Sequence, residues 1–139
     1  MLKRHEIEKI VPLTATIFSL NIFAKYYNPS VFYLLSLSVT LAGCVIWWLG
    51  VKTLGDAFST LPKAKKLVKE GIYSKIRHPI YVGFSLILVG WCYIINSTTY
   101  YIAAFTLILI LALRAYLEEK RLTEKFGEKY REYKKETWL

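Results

Sequence analysis

Cysteine is almost missing from this chain: Cys44 and Cys92 are the only two in 139 residues, and each lies inside an apolar run. There they read as small hydrophobes, with no pairing context. Histidine is equally scarce, at two residues, and neither His5 nor His78 stands at metal-ligand spacing from a thiol. A disulfide scaffold and a structural metal site are therefore set aside. No G-x-G-x-x-G joins a strand to a helix, which excludes a dinucleotide-binding domain of the Rossmann type. Repeats, low-complexity tracts and long linkers are also missing, so residues 1–139 read as one domain. Acidic residues are few, 10 against 19 Lys and Arg, for a net charge of +9. That surplus could suit nucleic acid, but the cations flank apolar runs and do not interleave with aromatics over a polar surface. No nucleic-acid partner is expected.

What is abundant is apolar. Hydrophobic residues make up 55% of the chain and aromatics 16%, more than an ordinary soluble domain carries. Four apolar runs stand at 10–24, 31–51, 80–95 and 98–117. A bilayer core of about 30 Å needs about 17–25 helical residues, so the second and fourth are comfortable and the first and third short. Interfacial tyrosines such as Tyr26, Tyr27 and Tyr81 extend the short ones, giving spans at about 10–27, 31–51, 79–95 and 98–117. Trp47-Trp48 read as further interfacial anchors. The first run lacks a small-x-small cleavage site and is expected to be a retained anchor.

Orientation follows from the cations. Between the first two runs there is only Lys25, and Asn96-Ser97 between the last two carries none. The connection 52–78 holds Lys52, Lys63, Lys65, Lys66, Lys69, Lys75 and Arg77, and the tail beyond the fourth run is equally basic. The expected fold is an all-α polytopic membrane protein with four transmembrane helices, both termini cytoplasmic, and an amphipathic C-terminal helical extension. Within that extension Gly127 is expected to end one helical segment before another resumes at Glu128. The connection 52–78 is too long for a structureless loop and is expected to fold into a site or cap.

The stretch KEGIYSKIRHPIYVGF, residues 69–84, is not needed for anchoring. Pro79 suits the first turn of a helix and puts His78 near the cap. The free N–H groups of that terminus favour an anion, and Arg77 with His78 add to the attraction. Tyr73 and Tyr81 offer hydroxyls or a stacking face, and Gly83 admits a close approach. The same residues also fit a plainer role, with Arg77 snorkelling to headgroups and Gly83 packing helices. Gly83 and Gly90, seven apart, suit a close helix contact within one subunit or between two, so the oligomeric state stays open. At the end of the fourth run Arg114 and Glu118 share a helical face, and Glu119 adds a second carboxylate where charge is costly unless it is paired or wet. Together the clusters suit a zwitterion: the helix N-terminus and its cations for a carboxylate, Glu118 or Glu119 for an amino group. S-adenosylmethionine has such an end, among other ligands.

LVKEGIYSKIRHPIYVGF, residues 67–84, resembles the cofactor-binding motif of the isoprenylcysteine carboxyl methyltransferase family, related to the phospholipid methyltransferases, in its Leu-Val, Gly-x-Tyr and R-H-P-x-Y-x-G elements. EEKRLTEKFGEKYREYKKET, residues 118–137, is similar to the family's E-E-x-x-L, F-G-x-x-Y and Y-K-K elements in the same order, and Leu54-Gly55 and Phe58 suit its preceding segment. The resemblance implies a small membrane methyltransferase with S-adenosylmethionine bound at the cytoplasmic side, without metal, and a lipid-like or prenylated acceptor from the bilayer. It further implies Leu67, Val68, Gly71 and Tyr73 at the adenosine end, and His78, Pro79, Tyr81 and Gly83 around the carboxylate and sulfonium. Glu118 and Glu119 would meet the amino group or the acceptor region. Arg77 and Arg114, with the two glutamates, are the catalytic candidates, the arginines steering the acceptor. If that acceptor is an amine, Glu118 or Glu119 with a raised pKa is the expected base. Two positions depart from the pattern: Ile72 stands where the family has proline, and Glu136 where carboxyl methyltransferases of the group often have arginine. A small hydrophobic thiol or amine as acceptor, or a non-catalytic membrane scaffold, are the alternatives.

Overall fold

A computed structural model describes residues 4–28, 30–54 and 67–138; within the first helix the side chains at 4–9, 11 and 12 lie outside the description. The described residues are helical: α1 (Arg4–Lys25), α2 (Val31–Leu54), a short 3₁₀ turn (Gly71–Ser74), α3 (Pro79–Ile95), α4 (Thr98–Phe126) and α5 (Glu128–Glu136). Their one extended pairing is a parallel bridge between Ile76 and Trp138. The expectation of a folded cap over 52–78 falls partly on residues 55–66, outside the described residues, as do Gly55, Phe58 and the lysines at 63, 65 and 66.

α1 and α2 are fastened at their turn. The Ser30 hydroxyl accepts from the Tyr33 N–H at 3.1 Å, capping α2, and the buried Tyr33 hydroxyl donates to the Phe23 carbonyl at 2.7 Å. Phe23 and Tyr33 meet edge to face and, with Ile94, form a small core.

The closest packing joins α2 to α3. Ser36, Thr40, Gly43, Trp47 and Gly50 recur at intervals of four and three along α2 and meet Pro79, Ile80, Gly83, Ile87 and Gly90 on α3. A Cβ on Gly83 would lie 2.6 Å from the Trp47 amide nitrogen and 2.7 Å from the Gly43 carbonyl oxygen. Small residues let the two backbones approach in this way, which is how helices associate where no water drives them together. The close contact expected at Gly83 and Gly90 thus forms within the chain, and Trp47 packs into it, its ring 6.3 Å from that of Phe84.

α3 and α4 form a hairpin about Asn96, whose left-handed backbone (φ 41°) closes α3. Tyr100 donates to the Leu88 carbonyl across it at 3.0 Å. α3 has 17 residues and α4 has 29, so at 1.5 Å per residue α4 runs about 18 Å further. Its polar last turns therefore project past the start of α3. α2 and α4 are long and apolar enough to cross a bilayer, whereas the apolar part of α1, Leu13–Lys25, and α3 are shorter. Ile102, Phe105, Leu109 and Leu113 on α4 and Leu13, Ile17 and Leu20 on α1 are exposed. Apolar bands of this extent belong to a membrane protein, whose solvent there is lipid. Gly127, at φ 54°, breaks the helix after α4, a conformation side chains resist, and α5 turns back with Tyr130 and Tyr133 buried.

Candidate functional site

The hairpin and the returning α5 converge on the start of α3. Pro79 begins that helix and is buried against Gly50 of α2, leaving His78 just outside it with no capping side-chain bond. The segment before His78 is gripped by the C-terminal end. Arg77 donates its N–H to the Trp138 carbonyl at 3.2 Å, and Trp138 donates to the Lys75 carbonyl at 2.7 Å. The Arg77 guanidinium reaches the same end, donating from Nη1 to the Thr137 carbonyl at 2.8 Å and, more loosely, to the Lys134 carbonyl at 3.3 Å. Nη1 also lies 3.2 Å from the Thr137 hydroxyl, so one arm of the rigid guanidinium is held by the C-terminal end.

The contact from the Nε of Arg77 is the decisive one. Its Nε donates to Oε1 of Glu119 at 3.0 Å, while Lys134 Nζ lies 2.6 Å from Oε2 of the same carboxylate. Glu118, the neighbouring acid, accepts from the Tyr81 hydroxyl at 2.7 Å and has Arg114 Nε at 3.7 Å. His78 stands between the two carboxylates, with Nδ1 3.9 Å from Glu118 and Nε2 3.5 Å from Glu119. Its ring stacks on Tyr81 at 5.7 Å. The Nε2 atom is buried, and its approach to Glu119 does not make a well-directed hydrogen bond.

Electrostatics follow from this crowding. Burial lowers the His78 pKa, against the pull of Glu118 and Glu119, so the imidazole is neutral around pH 7. For Glu119 burial acts to raise the pKa, but hydrogen bonds and charge from Lys134 and Arg77 outweigh it and the net shift is downward. Glu119 is therefore a fixed anion, and the expectation of a raised pKa is overturned for it: a carboxylate between two cations is a poor proton acceptor. Burial raises the tyrosines on this side of the molecule as well, Tyr133 to about 12 and Tyr73 and Tyr130 further, so all three stay protonated donors.

Of the residues singled out in the sequence, Arg77, His78, Tyr81, Arg114, Glu118 and Glu119 come together here. Tyr73 is buried beside them, its carbonyl accepting from the Tyr133 hydroxyl. Gly71 opens the 3₁₀ turn against Thr53, and Leu67 and Val68 precede it, half-buried. Gly83 lies on the α2–α3 seam, against Gly43 and Trp47. Sequence reasoning missed Lys134 and Thr137 as partners of the cluster. Their signal was the spacing of 130, 133, 134 and 137, one face of a helix, visible once the helix is known to fold back.

The fold and this mouth define a class: a helical membrane protein whose apolar helices end in a charged, partly buried cluster. Residues 30–129 match the sequence model of the phospholipid methyltransferase family, and the chain belongs to that family. It is 37% identical over 108 residues to the protein-S-isoprenylcysteine O-methyltransferase of Saccharomyces cerevisiae, an alignment covering 68% of this chain and 45% of that one. To the enzyme of the same description from Tribolium castaneum it is 32% identical over 109 residues, 73% of this chain and 38% of the other. Similarity also extends to the methanethiol S-methyltransferase of Pseudomonas deceptionensis, 38% over 64 residues, 46% of this chain and 24% of that protein. The chain thus spans less than half the length of each of these relatives.

Proposed function

We propose that this chain is a multi-pass membrane methyltransferase that takes a methyl group from S-adenosylmethionine and delivers it to a lipid-like or prenylated acceptor. Its four long helices cross the bilayer, interfacial residues filling out the short spans, with both termini and the connection 52–78 cytoplasmic. The observation that carries the reading is the meeting of Arg77 and His78 with Glu118 and Glu119 at one mouth, at the rim of two apolar helices.

The donor set fits the group. An amino-acid end needs an anion for its ammonium and a cation or free N–H groups for its carboxylate, and Glu119, Arg77 and the α3 N-terminus offer both. When bound, S-adenosylmethionine supplies a methyl carbon on a sulfonium sulfur that leaves as a neutral thioether. Glu119 receives the ligand ammonium by releasing Lys134, whose side chain is 52% exposed and free to swing away, whereas Arg77 is 13% exposed and anchored elsewhere. Leu67, Val68, Gly71 and Tyr73 line the adenosine end. His78 and Tyr81 stand by the carboxylate and sulfonium, Pro79 setting the helix start and Gly83 the closeness of α2. Arg77 and Arg114 orient an acidic acceptor. Displacement at the methyl carbon needs alignment and exclusion of water, which a site half-buried at the bilayer surface favours. An ionised carboxylate or thiolate needs no base; for an amine, Glu118 is the candidate left.

A second reading, a small hydrophobic thiol as acceptor, draws support from the similarity to methanethiol S-methyltransferase and from Glu136 in place of the arginine. Methyl-labelled S-adenosylmethionine given to the full chain in lipid nanodiscs, with a lipid extract, a prenylcysteine and a panel of soluble thiols, separates the readings. Label in the lipid extract or the prenylcysteine is expected. Label confined to the thiols favours the second reading. A chain that binds no S-adenosylmethionine by calorimetry is a scaffold, and the proposal is then wrong.

A further inference from the structure

Tyr130 is 1% exposed, and its hydroxyl has no hydrogen-bond partner among the described residues. Tyr33 and Tyr133, 5% and 3% exposed, each donate to a backbone carbonyl. A buried hydroxyl left unmatched is destabilising, and each such group in a folded protein calls for an explanation, a ligand, ion or water among them.

Its surroundings say what it could receive. Tyr133 and Lys134 follow at three and four residues along α5 and Thr137, just past its end, at seven, and all three turn toward the mouth: Tyr133 bonds the Tyr73 carbonyl, Lys134 bonds Glu119, and the Thr137 hydroxyl accepts from Arg77. Tyr130, one turn before Lys134, lies on the same face. Burial acts on it most, followed by the charges of Glu119 and Arg77. Burial keeps the phenol protonated, so it meets a ligand as a donor. The two ends of an amino acid branch from one carbon, so a hydroxyl on the helix face that also carries the Lys134 partner of Glu119 suits the other end if Glu119 takes the ammonium.

We propose that the Tyr130 hydroxyl is a binding group of the site, donating a hydrogen bond to the carboxylate of the methyl donor's amino-acid end. This rests on the reading that the mouth holds S-adenosylmethionine. It assigns to α5 a direct part in recognition beyond bracing the segment before α3.

The test is Tyr130→Phe in the full chain, purified in detergent. Three ligands are titrated by calorimetry: S-adenosylmethionine, S-adenosylhomocysteine and 5′-methylthioadenosine, the last lacking the amino-acid end. The expected result is a loss of about tenfold in affinity for the first two, the worth of one hydrogen bond to a charged group, with 5′-methylthioadenosine unaffected. Ligand-free Tyr130→Phe should melt at the same temperature as the parent or higher, because an unmatched hydroxyl has been removed. Undiminished affinity for S-adenosylhomocysteine overturns the proposal, as does an equal loss for all three ligands. So does a lower melting temperature of the ligand-free variant, which means that the hydroxyl already has a partner within the protein. Parent protein that binds none of the three removes the underlying reading of the mouth, a different failure from parent that binds while the variant binds equally well.

Discussion

Arg77 and Glu119, 42 residues apart in the chain, meet through a 3.0 Å hydrogen bond between Nε and Oε1 that ties the entry of α3 to the end of α4. The same guanidinium holds the carbonyl of Thr137, so one side chain joins three segments. Arg77→Ala leaves the partly buried Glu119 with Lys134 as its cation and the neutral His78 beside it, and two carbonyls without their donor. A loss on the order of 2–3 kcal/mol is expected, below the roughly 3–5 kcal/mol that breaking a fully buried pair costs, because this one is partly wet. Thermal unfolding in detergent measures it, and Arg77→Lys should recover only part, since a single ammonium cannot reach all three acceptors.

Lys134 has the opposite character. It is the exposed partner of Glu119, and an exposed pair contributes about 0–1 kcal/mol. Lys134→Met should therefore barely change stability, while S-adenosylmethionine affinity by calorimetry should rise by a few-fold, because the carboxylate no longer has a cation to release. Weaker binding in this variant means that Lys134 holds the ligand and does not compete with it.

On the α2–α3 seam, Gly83→Ala sets a methyl group against the backbone of Trp47 and Gly43. Neither backbone can yield without separating the helices, so a loss of about 1–3 kcal/mol is expected, typical of overpacking. Gly127→Ala makes a useful contrast: nothing lies within 4 Å of the new methyl, but φ is 54°. Its cost is the conformational strain alone, about 1–2 kcal/mol, and it should loosen α5 in hydrogen exchange while leaving the seam protected.

The pH dependence has one sign for both titrating groups. The His78 pKa is lowered in the folded protein from 6.5, so as pH falls below the ordinary histidine value the unfolded chain takes up a proton first and stability declines. The Glu119 pKa is lowered from 4.5, so its contribution is complete above that value and is lost as pH falls through the folded one. Melting temperature should fall in two steps from pH 7 to the acid limit. His78→Asn should remove the upper step and Glu119→Gln the lower, as melting curves across this range would reveal.

Much of the architecture was legible in the chain because helices are local. Apolar runs, the proline before Ile80 and the glycine at 127 mark where helices start and stop, and the same marks put R-H-P at the entry of α3 and two glutamates near the end of α4. A two-residue turn between antiparallel helices then brings those motifs near one another, which is why the central cluster could be anticipated. The rest was set by where α5 lands. Tyr130, Lys134 and Thr137 sit in a strongly polar segment that reads as an amphipathic helical extension, and only the structure shows that after Gly127 it folds against residues 60 positions earlier.

The sequence by itself determined the helices, their apolar character and the charges at the mouth, since each depends on residues within a few positions of one another. Only the tertiary structure decided that Gly83 faces α2, that Lys134 completes the shell of Glu119 and that this shell lowers the Glu119 pKa against the pull of burial. Those outcomes depend on how closely two helices approach and at what angle a third returns, and such distances arise from packing between segments far apart in the chain.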